Sequence, residues 1–92
     1  MLNLRIVLQP PLDTLASVSS DGESVKSDTV YGALTNICAS HHRLRERLFD
    51  GDGLSPFINI FLNGNLVPTD KCKDQRIADR DELCLLTAIR GG

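Results

Sequence analysis

The run Phe57-Ile58-Asn59-Ile60-Phe61-Leu62-Asn63-Gly64 carries two structural signals back to back. Its first six residues are rich in β-branched and aromatic side chains and follow Pro56, which reads as a strand. Asn63-Gly64 comes immediately after. That dipeptide is the strongest short-range hairpin signal, because both central residues of the favoured two-residue turn need positive φ. Leu66 and Val67 supply a brief return strand, and Pro68 stops it. Alternation puts Ile58, Ile60 and Leu62 on one face of the sheet and Phe57, Asn59 and Phe61 on the other.

Downstream, residues 69–81 are polar, with Ile77 the only large apolar side chain, and fit a loop with one helical turn. Asp81-Glu82 opens a last strand, Glu82 to Ala88, with Leu83 and Leu85 facing inward and Cys84 and Leu86 outward. Upstream, Val30, Leu34, Ile37, His41, Leu44 and Leu48 recur at steps of three and four and stack on one helical stripe. Asp28 or Thr29 offers the N-cap. The stripe divides into helices over 29–40 and 43–49, with Ser40-His41-His42 as the joint. Gly32 in the first turn costs up to about 1 kcal/mol against alanine, so tertiary packing must hold this helix. Asp50-Gly51-Asp52-Gly53 reads as a loop.

At the other end, Leu2, Leu4, Ile6 and Leu8 alternate with Asn3, Arg5, Val7 and Gln9, a strand that Pro10-Pro11 terminates. Residues 12–28 are rich in Ser, Asp and Gly, with Val18 and Val25 as candidate strand residues and a short strand near 23–27 paired back on the first. Strands grouped around one main helix predict an α+β fold with that helix packed across a mixed sheet. One helix covers only one face. Val7, Phe57, Phe61, Cys84 and Leu86 are therefore expected to form a partly apolar open face, and such patches often mark partner sites.

Ninety-two residues with net charge −2 and both signs scattered make one domain without a nucleic-acid footprint. No apolar run is long enough to span a bilayer, and Met1 to Ile6 lack the pattern of a signal peptide. Cys38, Cys72 and Cys84 form no CxxC pair, so zinc and thioredoxin-type chemistry lack support, and reduced thiols in the cytoplasm are the expectation. Cys38 and Cys84 sit in apolar runs, whereas Cys72 in its polar loop is expected to be exposed. Adjacent helical residues such as His41-His42 point about 100° apart and cannot chelate one ion. Asp79 and Asp81 read as solubilisers or caps. The chain offers no catalytic constellation, no metal site and no bound cofactor. It reads as something acted upon, or something that binds.

The sequence closes with Ile89-Arg90-Gly91-Gly92 after the last strand. Glycine serves where the backbone needs freedom or where another surface must come close. No turn remains to be made here, so the expectation is a domain over 1–88 and a flexible tail over 89–92 that can enter a narrow channel. An incidental frayed end is the competing account.

Residues 57–64, Asp81-Glu82-Leu83 with its apolar strand, Asp28-Thr29-Val30 opening a helix with Leu34, Leu44-Arg45-Glu46-Arg47-Leu48 before an acidic loop, and terminal Gly91-Gly92 resemble the MoaD/ThiS family of sulfur carriers. The resemblance covers residues 28–92 well and the first strand plausibly, and residues 12–26 poorly. It implies the β-grasp, ubiquitin-like fold. It also implies that a ThiF/MoeB-type, E1-like enzyme adenylates the Gly92 carboxylate with ATP. Conversion to a thiocarboxylate then lets a sulfur-accepting biosynthetic enzyme take the sulfur. Gly92 would carry the reacting carbon, Gly91 and Arg90 would thread the channel, and Phe57, Phe61 and Leu86 would dock partners. A protease trimming the chain to Gly92 is a further possible partner.

Two positions depart from the family pattern. Arg80 stands where many members have glycine, and Arg90 where many have a small residue. The Arg-Gly-Gly ending resembles ubiquitin itself and keeps a second reading open, a modifier conjugated through Gly92 to lysines. A plain β-grasp adaptor with an incidental tail is the third.

Overall fold

Alternating Leu and polar residues at the N-terminus form strand β1, Leu2–Leu8, with Leu4 and Ile6 buried and Asn3 and Arg5 exposed. The structure is a computed structural model describing residues 2–17, 22–51 and 53–87. Val18 as a strand residue, Asp52, Ala88 and the tail Ile89 to Gly92 lie outside the described residues. After a 3₁₀ turn at Leu12–Thr14, strand β2, Glu23–Val25, pairs antiparallel with β1 through Leu2↔Val25 and Leu4↔Glu23. This is the expected short strand, two residues shorter than its predicted span.

Helix α1, Val30–Cys38, begins at Thr29, whose Oγ1 accepts from the Gly32 N–H at 3.1 Å. Its first two amides are satisfied by the chain beyond the hairpin: Val30 N–H donates to Gln75 O and Tyr31 N–H to Cys72 O. Helix α2, His42–Leu48, follows after the predicted break. His41 precedes it as the N-cap residue, half-buried and outside the helix, which corrects its place on one continuous stripe. The predicted loop at 50–53 is instead the bend of a two-residue-stranded hairpin, β3 Phe49–Asp50 against β4 Gly53–Leu54. Strands this short carry no periodicity to read.

Strand β5, Ile58–Leu62, turns through Asn63 (φ 51) and Gly64 (φ 87) into β6, Asn65–Val67. Both φ values are positive, as the two-residue turn requires. Strand β7, Glu82–Thr87, completes a five-stranded mixed sheet of order β2-β1-β7-β5-β6. β7 is its centre, parallel to β1 (Ile6↔Leu83, Leu8↔Leu85) and antiparallel to β5 (Ile60↔Leu85, Leu62↔Leu83). The helices cover one face. Leu34, Leu44, Leu48, Ile60, Leu83 and Leu85 are fully buried between the layers. Each contributes about 1.5–3 kcal/mol of transfer free energy, and packing losses add to the cost of truncation.

Cys72 departs from expectation. It is fully buried, its Sγ–H donates to Pro68 O at 3.4 Å, and it joins the core from a 3₁₀ turn at Thr69–Lys71. Composition made this loop look like surface. The turn instead folds inward, because α1 needs the Cys72 and Gln75 carbonyls at its N-terminus.

Candidate functional site

Alternation along β7 splits its side chains cleanly. Leu83 and Leu85 enter the core, while Cys84 and Leu86 are half-buried on the face that no helix covers. The register assembles an apolar strip there. Cys84 lies between Val7 on β1 and Phe61 on β5, and Leu86 lies opposite Asn59. Phe61 is in turn opposite Leu66 on β6. Leu66 is 57% exposed and Phe57 is 47% exposed. Sequence reading found Phe57, Phe61 and Leu86 and missed Leu66. The signal was available: a two-residue loop at Asn63-Gly64 fixes Leu62↔Asn65, which places Leu66 beside Phe61 on the open side.

Of the three predicted partner residues, Phe61 and Leu86 belong to this strip, and Phe57 stands at its border just ahead of β5. Ser55 holds that border in place, its Oγ accepting from the Phe57 N–H at 3.2 Å. Phe57 and Thr87 also line a shallow cleft of about 460 Å³ with Glu46, Arg47, Phe49 and Asp50. Thr87 is the last described residue of the chain, and it lines this cleft at the end of β7. Arg90, Gly91 and Gly92 themselves lie outside the described residues.

The opposite end of β7 is built from hydrogen bonds. Asn63 N–H donates to Glu82 O and Glu82 N–H returns a bond to Asn63 Oδ1, both at 2.9 Å. Asp81 accepts from Ala78 N–H through Oδ2 (2.8 Å) and from Asn63 Nδ2 through Oδ1 (3.0 Å). Asp79 Oδ1 accepts from the Asn3 N–H at 2.7 Å. The two aspartates therefore act as turn caps. Arg80 between them has φ 72, the glycine-like conformation that its position in the sequence put in question.

Among the described residues no group of three or more His, Cys, Asp or Glu is placed to hold a metal ion. Cys38 and Cys72 are poor nucleophiles. Burial raises both thiols to about 11, opposed by Arg45 at Cys38 and reinforced by Asp70 at Cys72. Cys84 is the more accessible thiol, 3.8 Å from the Gln9 Nε2 donor. Together these features leave a partly apolar face on the side of the sheet that no helix covers, with β7 at its centre.

Comparison with known proteins agrees with this geometry. A family model described as the ThiS family matches residues 12–92. Sulfur carrier protein CysO of Mycobacterium tuberculosis is 29% identical over 94 residues, spanning 99% of this chain and 96% of the relative. SAMP1 from Haloferax volcanii superposes with a TM-score of 0.78 at 29% identity, over 98% of this chain and 99% of that one. A chain of the Amycolatopsis orientalis BexX/CysO complex superposes with a TM-score of 0.76 over 97% of this chain and 99% of that one. Its 24% identity speaks to the fold alone.

Proposed function

Because the chain belongs to the ThiS family, we propose that it is a sulfur carrier whose Gly92 carboxylate is activated by an E1-like adenylating enzyme. A carboxylate is a poor electrophile. Attack of its oxygen on the α-phosphorus of ATP forms the acyl-adenylate and releases pyrophosphate. A sulfide-level nucleophile then adds to the acyl carbon and expels AMP, leaving a thiocarboxylate that passes its sulfur to a biosynthetic enzyme. This chain contributes no catalytic group to these steps. It contributes a tail without β-carbons at its last two positions and an open face that positions that tail. ATP is the enzyme's substrate, and the setting is the cytoplasm.

The observation that carries this reading is the family match, which runs through Gly91-Gly92. Co-expression with the adenylating enzyme, followed by intact mass, tests it. The expected product is heavier by one oxygen-to-sulfur exchange mapped to Gly92, and deletion of Gly92 abolishes it without changing the circular dichroism spectrum. An active enzyme that leaves the mass unchanged counts against the carrier.

The likeness to SAMP1, the small archaeal modifier protein 1 of Haloferax volcanii, together with the Arg90-Gly91-Gly92 ending, favours a second reading. In it a lysine amine takes the acyl group instead of sulfur. Slower-migrating adducts with Gly-Gly remnants on lysines would identify that outcome.

A further inference from the structure

In the turn before β7, the backbone and side chain of one residue are at odds. Arg80 has φ 72, in the left-handed region where a β-carbon crowds the neighbouring carbonyl and glycine alone is at ease. The conformation is enforced. Arg80 N–H donates to Asn3 O at 2.7 Å and Arg5 N–H donates to Asp81 O at 2.9 Å, so the turn is stapled to β1 on both sides. Asp79 and Asp81, flanking it, spend their carboxylates on backbone amides and Asn63. Arg80 has no comparable task. Its side chain is 90% exposed and its Nε lies 3.9 Å from Asp79 Oδ2, a contact that contributes little in water. Glycine at this position would remove the strain, against the smaller cost of a freer unfolded chain.

A strained residue whose long cationic side chain makes only one weak ion pair among the described residues points outward. Resting on the reading of function above, we propose that Arg80 is a specificity contact, its guanidinium engaging a carboxylate-bearing patch on the adenylating enzyme. Arg5 shares the same corner, 68% exposed and 3.6 Å from Glu82. Arginine suits this task because its planar fork binds a carboxylate with two parallel hydrogen bonds. Position supplies the reason for a contact here. Five residue steps along β7, at about 3.3 Å each, put this corner on the order of 17 Å from Thr87, where the tail departs. A grip at Arg80 and an entering tail hold the two ends of β7, with the apolar face between them. That combination fixes the rotation of the domain over the channel, which an apolar patch alone leaves loose.

The test compares wild type, Arg80→Gly and Arg80→Lys for Tm, and for Kd and association rate with the purified adenylating enzyme at low and high salt. Arg80→Gly is expected to raise Tm by about 4 °C. It is also expected to weaken Kd by about five-fold at low salt, with the difference shrinking at high salt. Arg80→Lys keeps the backbone strain and the charge, so its Tm stays near wild type and it recovers part of the affinity. Unchanged affinity in Arg80→Gly overturns the contact. A Tm that fails to rise removes the unrewarded strain on which the proposal stands, and overturns it as well. An enzyme that neither binds nor adenylates wild type overturns the reading of function and this contact with it, whereas normal wild-type binding with an indifferent Arg80→Gly overturns the contact alone.

Discussion

Gly32 looks like a defect by helix propensity, since alanine there would favour an isolated helix by up to about 1 kcal/mol. In the folded protein a β-carbon at position 32 would run into Ser27 Oγ. That hydroxyl cannot simply swing away, because it accepts from the Thr29 N–H at 3.2 Å and lies 3.3 Å from Thr29 Oγ1, the helix cap. Packing therefore reverses the sign that propensity predicts. Gly32→Ala is expected to destabilise the domain by about 1–3 kcal/mol in urea unfolding, and adding Ser27→Gly should recover part of the loss. A stabilised single variant would show that Ser27 yields at no cost. The sequence displayed the glycine and the cap but not their collision, which depends on a side chain outside the helix. Cys72 was illegible for a related reason: polar neighbours hid a turn that folds inward to serve helix α1.

Among the elements, those with a strong period were read correctly, and the short β2 and β6 were placed by their neighbouring turn signals, whereas the β3–β4 hairpin was read as a loop. β1, β5, β7 and the split helix follow from alternation or from steps of three and four, and the Asn63-Gly64 turn fixed its own register. The β3–β4 hairpin had only two residues a side from which to show a pattern. The open face was also legible, because one main helix cannot cover two sides of a sheet. Phe61 sits on it between Cys84 and Leu66, half-buried and away from the helices. Phe61→Asp is accordingly expected to weaken binding of the adenylating enzyme at least ten-fold, about 1.4 kcal/mol, while the circular dichroism spectrum is unchanged. Equal dissociation constants for variant and wild type, measured by calorimetry, would dismiss the face as a docking surface.

For the whole molecule, what the sequence concealed was neighbourhood: periodicity marks β1 and β7 as strands but does not say that they pair, in parallel, at the centre of the sheet. The thiols give a global test of the core they share. Cys38 and Cys72 keep their protons to about 11 in the folded state, chiefly because burial disfavours the thiolate, against an ordinary value near 9. Between these values the unfolded chain binds fewer protons than the native one, so stability falls as pH rises through that window and is flat below it. Tm measured from pH 8 to 11 should show this decline, and Cys38→Ala with Cys72→Ala should flatten it. A slope that survives the double substitution would locate the titration elsewhere. The central position of β7 has a consequence for biosynthesis. Ribosomes deliver a chain from its N-terminus, and residues 2–81 contain two strand pairs, β1–β2 and β5–β6, that only β7 joins. A nascent or prematurely terminated chain cannot close the sheet. Closing the sheet must wait for residues 82–87, so a chain cut short before them keeps the two pairs unjoined and open to proteolysis.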